Sequence, residues 1–488
     1  MAWIGQASAA LLAALRSPAS APAWLWGAGA AALAVLSASW LWGFTVDDAL
    51  ISVRYARHLA LGEGYRFNAT GPSTDGVTPL AWPFLLWPLA HASALVVLGR
   101  AKALGLFVYA VAAAAWGTAV GRAPAAPWVK GVALVTLGLS VPCGAHAVSG
   151  METALAMGLC TWASILPARP RAAALVAGLA ASLRPELLPW ATVIAVGFSA
   201  PSPLGALGAV ALASAPFGAC CLARLLAFGH VAPLAIAAKP SDVAHGLVYV
   251  GAASLAALAP LLAFAPMAIA SAGRPVKTLA LAGATHLAAV AVAGGDWMPY
   301  ARLIAPIVPS ILLVYVAATV HKRTLLFGAL RAVLTLALGV YLLVTAAPAA
   351  RHVGRDRERL VTSARPYLEH AGVVASLDVG WPSAATEATI VDLGGLTDPE
   401  VAALPGGQTS KRIDDLWLLR RQPDVLLAYT TRFDRPLDEW RSAQLGRVVE
   451  ARLAASDLLA GHFVADAFLP LGGTGAGYLV LRRKSSDL

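Results

Sequence analysis

Eleven apolar runs fill most of the first 350 residues and narrow what this chain can become. They lie at about 23–44, 101–121, 130–147, 151–167, 171–183, 187–200, 203–222, 247–271, 278–294, 303–319 and 329–347. A backbone in hydrocarbon must satisfy its own N–H and C=O groups, so only helices and closed barrels cross a bilayer. Continuous apolar runs, rather than short alternating ones, select helices. Composition agrees. The chain is 58% hydrophobic and 13% charged, where soluble domains carry about 25% charged residues. Its mean hydropathy is +0.70.

Charge divides the chain in two. From Arg351 onward there are 17 Lys+Arg and 18 Asp+Glu, which leaves 19 basic and only 8 acidic residues before that point. The expected architecture is an α-helical polytopic membrane domain over 1–350, with about 11 transmembrane helices, and a soluble domain over 351–488. The soluble tail carries strand-like runs at Val373–Leu377, Thr389–Leu393, Val425–Tyr429 and Tyr478–Arg482. Helix-like charged runs lie at Arg355–His370, Asp414–Arg421 and Leu437–Gln444. That mixture predicts an α/β or α+β fold.

Orientation follows from the basic loops. Arg16 precedes the first apolar run, which reads as a signal anchor with the N-terminus inside. The inside loops then hold Arg122 and Lys130, Arg169 and Arg171, Arg274 and Lys277, and Lys322, Arg323 and Arg331. The loop near Pro201–Pro203 has no charge. Span parity puts all eight acids of the membrane part on the outer side: Asp47, Asp48, Glu63, Asp75, Glu152, Glu186, Asp242 and Asp296. An odd span count makes the tail extracytoplasmic. The run Leu80–Leu98 contains Pro83 and Pro88 and reads as a helix lying along the outer surface. The net charge of +10 reflects basic inner loops, and no nucleic-acid partner is expected.

The outer segments carry the candidate chemistry, foremost an outer loop over 45–100. Asp47 and Asp48 open a run in which Ile51, Tyr55 and Leu59 recur at spacing four, the pattern of an amphipathic surface helix. Neighbouring helical residues point about 100° apart. One carboxylate therefore faces a site while the other caps the helix or holds Arg54 or Arg57. The polar loop that follows, with Asn68, Asp75 and Thr78, suits sugar hydroxyls. Candidate substrate contacts are Arg54, Asn68, Asp75 and Thr78. Later outer ends add Glu152, the Arg184–Pro185–Glu186 helix break, and Asp296, Trp297, Tyr300 and Arg302. Trp297 and Tyr300 also fit an aromatic belt. Arg302, Arg184 and Lys239 are candidates for a phosphate. The loop from Arg224 to His245 is either a lipid-phosphate clamp or a solvated loop.

Other chemistries lack their signatures. Walker A, dinucleotide and Gly-x-Ser-x-Gly motifs are all missing from the sequence, so no nucleotide or redox cofactor is expected. The histidines lack zinc spacing. Cys143, Cys160, Cys220 and Cys221 lie in apolar runs and read as small buried hydrophobes.

Several motifs in order carry a resemblance. A first span ends in an acidic pair. A surface helix follows, then Gly62-x-Gly64-x-x-x-Asn68 and Thr78-Pro79-Leu80-x-Trp82. Met151-Glu152-Thr153, Arg184-Pro185-Glu186, the GGDWMPYARLIAPIVP stretch from Gly294, and the tail's VVASLDVG and ATIVDLGGLTDPE elements complete the set. Together they resemble the polytopic GT-C glycosyltransferases, most closely the mycobacterial terminal arabinofuranosyltransferase group and its bacterial relatives. The loop's Thr74-Asp75-Gly76-Val77-Thr78-Pro79-Leu80 departs from the aromatic and Thr-Ser-Pro-Leu pattern of relatives. The resemblance implies a bacterial inner-membrane enzyme. Its donor is a polyprenyl-phosphate sugar and its acceptor an outer-face glycan, lipid or protein. An aspartate of the first outer loop acts as general base, by position Asp47 or Asp48, with Asp47 favoured. Transfer inverts the anomeric centre. Some members use a divalent metal, for which Asp47, Asp48, Glu152 and Asp296 offer oxygens. A transporter or flippase of lipid-linked saccharides, and a non-catalytic scaffold for envelope assembly, are the competing readings.

Overall fold

In the computed structural model the apolar runs become helices. The described residues are 21–199, 201–239, 241–262, 272–318, 325–473 and 475–484. Arg16, Lys322 and Arg323, used above for orientation, lie outside them. Among the described residues, five helices are long and apolar enough to cross a membrane: Ala23–Trp40, Ala94–Arg122, Pro203–Phe228, Arg274–Val292 and Leu336–Leu368. Pro127–Gly138 and Val141–Ala147 are apolar enough together and meet at a bend of 50°, the form of a broken span or a re-entrant loop. The remaining runs carry shorter apolar helices, among them Pro170–Leu183 and Val308–Ala318. The chain is therefore a mostly helical membrane protein with a small sheet near its C-terminus.

Two boundaries differ from expectation. The run Leu80–Leu98 is no single helix. It forms Ala81–Leu86 and a 3-10 turn at Trp87–Leu89, breaks, and enters Ala94–Arg122. Pro83 and Pro88 each remove a backbone donor, which shortens the helical stretch. At the other end, the last apolar run and the charged run at Arg355–His370 are one helix, Leu325–Leu368. Its 44 residues amount to about 66 Å at 1.5 Å per residue. Alanines 346, 347, 349 and 350 favour helix and let it run through the change in composition.

The chain divides into two compact units. The helical unit comprises 1–44, 101–222 and 241–351, and the mixed unit comprises 45–100, 223–240 and 352–488. Close backbone approach holds the helical unit together where no hydrophobic effect acts between helices in lipid. A Cβ on Gly117 would lie 2.6 Å from Ala30 Cβ and from Trp26 O, and one on Gly27 would lie 2.3 Å from Thr118 Oγ1. Gly117 and Gly121 have the small-xxx-small spacing that such contacts use.

The mixed unit is built on a sheet. Its strands are β1 (Val373–Ser376), β2 (Thr389–Asp392), β3 (Val425–Arg432), β4 (Gln444–Leu445), β5 (Phe463–Pro470) and β6 (Gly477–Arg483). They are ordered β2-β1-β3-β6-β5, with β4 beside β3. β1, β2 and β3 are parallel, while β6 and β5 add as an antiparallel pair. Leu377, Leu393, Leu426, Val449, Phe463 and Leu479 belong to one buried core. All four expected strands are present, in a mixed sheet of α+β character.

The helix Asp47–Ala60 has the expected period but not the expected setting. Nine of its fourteen residues are buried, including Ser52, Arg54 and His58. It is embedded in the mixed unit rather than lying on a surface, as a helix covered on most sides must be.

Candidate active site

The two leading aspartates have different fates. Asp47 Oδ2 accepts from Gly380 N at 2.8 Å and Asp47 Oδ1 from Trp381 N at 2.9 Å. These amides begin the helix Gly380–Ala385. Arg357 Nη1 stands 3.9 Å from the same carboxylate. Only glycine fits at 380, since a Cβ there would lie 2.1 Å from Asp47 O. Asp47 is thus a joint between the opening helix and the tail. Asp48, one position on, is half-buried and has no hydrogen bond or ion pair to any described residue. The two candidate bases therefore differ in setting: the Asp47 carboxylate is engaged at the tail, and that of Asp48 is not engaged by any described residue. Neither aspartate pairs with Arg54 or Arg57.

The rest of the first outer segment is also bound to the tail. Arg54 is 1% exposed. It donates to four carbonyls: Phe67 O at 2.6 Å, Ser383 O at 3.2 Å, Thr386 O at 3.0 Å and Ala388 O at 2.8 Å. Burial lowers its pKa to about 10. Asn68 pairs along the edge of β2, donating Nδ2–H to Ile390 O at 3.0 Å and accepting Ile390 N–H at 2.9 Å. Arg57 pairs with Glu387 at 2.8 Å. Arg54 and Asn68 were candidate substrate contacts, and their polar atoms are engaged in joining the segment to the sheet.

Asp75 and Thr78 meet Arg224. The guanidinium donates to Asp75 Oδ2 at 2.6 Å, to Val77 O at 3.2 Å and to Thr78 O at 2.6 Å. Arg224 is 2% exposed and Asp75 fully buried. Arg224 is thus buried and engaged by this turn rather than standing in a solvated loop. Burial raises the Asp75 carboxyl against the opposing pull of Arg224. Tyr55 organises the same turn, donating to Thr74 O and accepting from Gly76 N, both at 2.9 Å. Lys239 is exposed and has no partner among the described residues.

Spacing gave no sign of a charged network beneath β1 and β3. Asp378 accepts from Arg447 Nη2 at 2.7 Å and from the Tyr478 hydroxyl. Arg447 lies over the Tyr429 ring at 4.4 Å and 3.6 Å from Glu450. Glu450 accepts Tyr429 N–H at 2.9 Å. Burial pushes the Glu450 carboxyl up to about 7 against the pull of Arg447. Asp392 closes the Gly394–Thr397 turn by accepting three backbone N–H groups. Burial pushes its carboxyl, like that of Asp47, up to about 6.

These shifts set a pH dependence. A folded-state pKa above the ordinary carboxyl value of about 4 means that the folded chain holds protons the unfolded chain has lost. Stability is then greatest at the acid side of the window and falls as pH rises from about 4 to 7. A fully buried group shifted by two units contributes up to about 3 kcal/mol, and Asp47, whose side chain is 13% exposed, contributes less. Thermal unfolding of the purified protein should show a midpoint that falls from pH 5 to pH 8. Glu450→Gln, which keeps the acceptor for Tyr429, should flatten that slope.

The helical unit brings a second set together. Arg184 lies 3.4 Å from Glu152 and 3.2 Å from Glu186. Glu152 is fully buried, and neither of its oxygens accepts a hydrogen bond among the described residues. Arg302 donates Nε–H to Asp296 Oδ2 at 2.6 Å and approaches Met151 Sδ at 3.6 Å. His146 Nε2 faces Pro299 O at 3.2 Å, and the ring is within electrostatic range of Arg302, Asp296 and Arg184. His286 stands between Glu186 O and Leu303 O at 3.1 and 2.7 Å. Three motifs far apart in sequence thus meet, with three acids beside two arginines. Four left-handed residues shape the third motif: Gly294 (φ 93°), Gly295 (φ 72°), Tyr300 (φ 62°) and Ala301 (φ 49°). For the two with side chains this costs about 1–3 kcal/mol each, and such strain concentrates at functional positions.

Trp297 and Tyr300 do not join these charges. Trp297 is 83% exposed and stacks on His245 at 4.0 Å. Tyr300 donates to Ala346 O at 3.1 Å and meets the edge of Phe44. Among the described residues no three His, Cys, Asp or Glu side chains come together as metal ligands would.

Comparison with known proteins bears on the tail alone. A family model described as a domain of unknown function, DUF8728, matches residues 351–472. No curated protein matches the chain. The match begins within the long helix and takes in β1 to β5, with both Gly380, whose amide holds Asp47, and Arg447.

Proposed function

We propose that the chain is a membrane glycosyltransferase of the GT-C type. It moves a sugar from a polyprenyl-phosphate donor to a glycan, lipid or protein acceptor on the outer face of a bacterial inner membrane. The reading takes the eleven apolar runs as spans, with the N-terminus inside and the tail outside. It rests on the motif order resembling that superfamily. The observation that carries it is the split between the two aspartates: Asp47 is fully engaged, and Asp48 is left without a partner among the described residues.

A hydroxyl is a poor nucleophile. A positioned carboxylate that takes its proton in the transition state accelerates attack by about 10²–10⁴-fold. Asp48 is assigned that role. The acceptor oxygen bonds to the anomeric carbon as the bond to the lipid phosphate breaks. The phosphate departs with the bonding pair, and the centre inverts. Arg184 and Arg302 each already face a carboxylate, so on charge alone the exposed Lys239 is the better phosphate ligand.

The test is direct. The purified full chain is incubated with a panel of polyprenyl-phosphate sugars and candidate acceptors, and release of polyprenyl phosphate is followed. Consumption of one donor with a glycosylated product is expected. Counter-transport of a lipid-linked saccharide across vesicles, with every donor intact, would replace this reading with a transporter. The buried Glu152–Arg184–Glu186 group in the helical unit is the observation that favours that second reading.

A further inference from the structure

Part of the mixed unit's surface is apolar on its outward side. Between residues 81 and 90 the chain reads AWPFLLWPLA, with no charged side chain. Trp82, Pro83, Leu86 and Ala90 are buried. Phe84, Leu85 and Trp87 are 44%, 48% and 47% exposed. A water-facing turn would place polar groups at those positions. A second stretch adds Val231 and Ile236, which are 54% and 51% exposed. Tyr65 ties the first stretch to the chain just ahead of the second: the Phe84 ring stacks on Tyr65 at 5.4 Å, and Phe228, three residues before Val231, packs on the same ring at 5.8 Å.

We propose that this two-part face, Phe84–Trp87 with Val231–Ile236, is an interfacial membrane anchor, and that its occupant is the headgroup–acyl boundary of the bilayer. Three observations choose lipid over protein. The first stretch runs within four residues into Ala94–Arg122, one of the long apolar helices, so it starts close to where the chain enters hydrocarbon. It cannot cross on its own, since nine residues of helix reach about 14 Å where the hydrocarbon core is about 30 Å. Its exposed side chains are aromatic and aliphatic, including a tryptophan, the kind that settles at the membrane–water boundary. The anchor is independent of the reaction assigned above.

Spin labels read the surroundings directly. Leu85→Cys and Val231→Cys are made singly in the full chain with Cys220→Ala and Cys221→Ala. Cys143 and Cys160 are fully buried and are kept. The protein is reconstituted in phosphatidylcholine–phosphatidylglycerol vesicles. Collision of the label with oxygen, which concentrates in lipid, is compared with collision with a water-soluble nickel chelate. Leu416→Cys, at a leucine 57% exposed on the tail helix Asp415–Arg420, serves as the water-exposed reference. The anchor predicts an oxygen-to-nickel ratio several-fold higher at 85 and 231 than at 416. A ratio equal to that at 416 would overturn it in favour of solvent. Shielding from both reagents would overturn it in favour of a protein partner.

Discussion

Asp48→Asn is expected to lower sugar transfer by about 10²–10⁴-fold while the unfolding midpoint stays within a degree or two. Nothing described bonds to the Asp48 carboxylate, so its loss leaves no buried group unpaired. Asparagine keeps the shape and removes the basicity. Asp47→Asn should behave differently. An amide accepts through one oxygen only, so one of the two amides at Gly380 and Trp381 loses its acceptor. An unpaired buried donor costs about 1–3 kcal/mol. The expected outcome is a lower midpoint and a partial loss of transfer. Kinetics and calorimetry on the two variants separate the roles. The reverse pattern, Asp48→Asn active and Asp47→Asn inactive at unchanged stability, would return the base to Asp47.

Arg54→Ala should produce the largest loss of stability. Four carbonyls converge on that guanidinium. Removing it leaves several buried acceptors without donors, at about 1–3 kcal/mol each. A loss of about 4 kcal/mol or more follows, on the scale of breaking a buried charged network. Arg54→Lys should rescue little, because an ammonium is a point donor and cannot span acceptors that a planar fork reaches. Limited proteolysis would show cleavage within 61–80 in Arg54→Ala under conditions where the parent chain is intact. An unchanged digestion pattern would mean that the segment is held by other contacts.

Local pattern made much of this molecule readable from sequence. The period of Ile51 and Tyr55 marked a helix. Four of six strands showed as β-branched runs. β5 escaped because it follows the helix Asp457–His462 without a break and alternates burial with exposure while carrying Asp466 and Pro470. Partnership was far less readable. Arg224 looked like a loop cation, yet its carboxylate lies 149 positions earlier. Asn68 looked like a sugar ligand, yet it matches both polar groups of one residue in β2. Spacing reports only neighbours within a few turns, and each of these contacts is set by the tertiary fold. The motif loops at Glu152, Arg184 and Asp296–Arg302 were identified singly. Their meeting depends on helix packing that no motif encodes.

The three-part make-up of the mixed unit sets an order of events in biosynthesis. Arg54 emerges early, but its last acceptor, Ala388, follows 334 residues later. At about 5–20 residues per second, roughly 17–67 s pass before that carbonyl, 334 residues on, exists. Throughout that interval the first polar segment is without the sheet edge that Asn68 and Arg54 require. It must wait as an unpaired, partly apolar chain exposed to proteases and chaperones. Ribosome-stalled chains ending near residue 350 should therefore present this segment as digestible, and chains that include β6 should protect it.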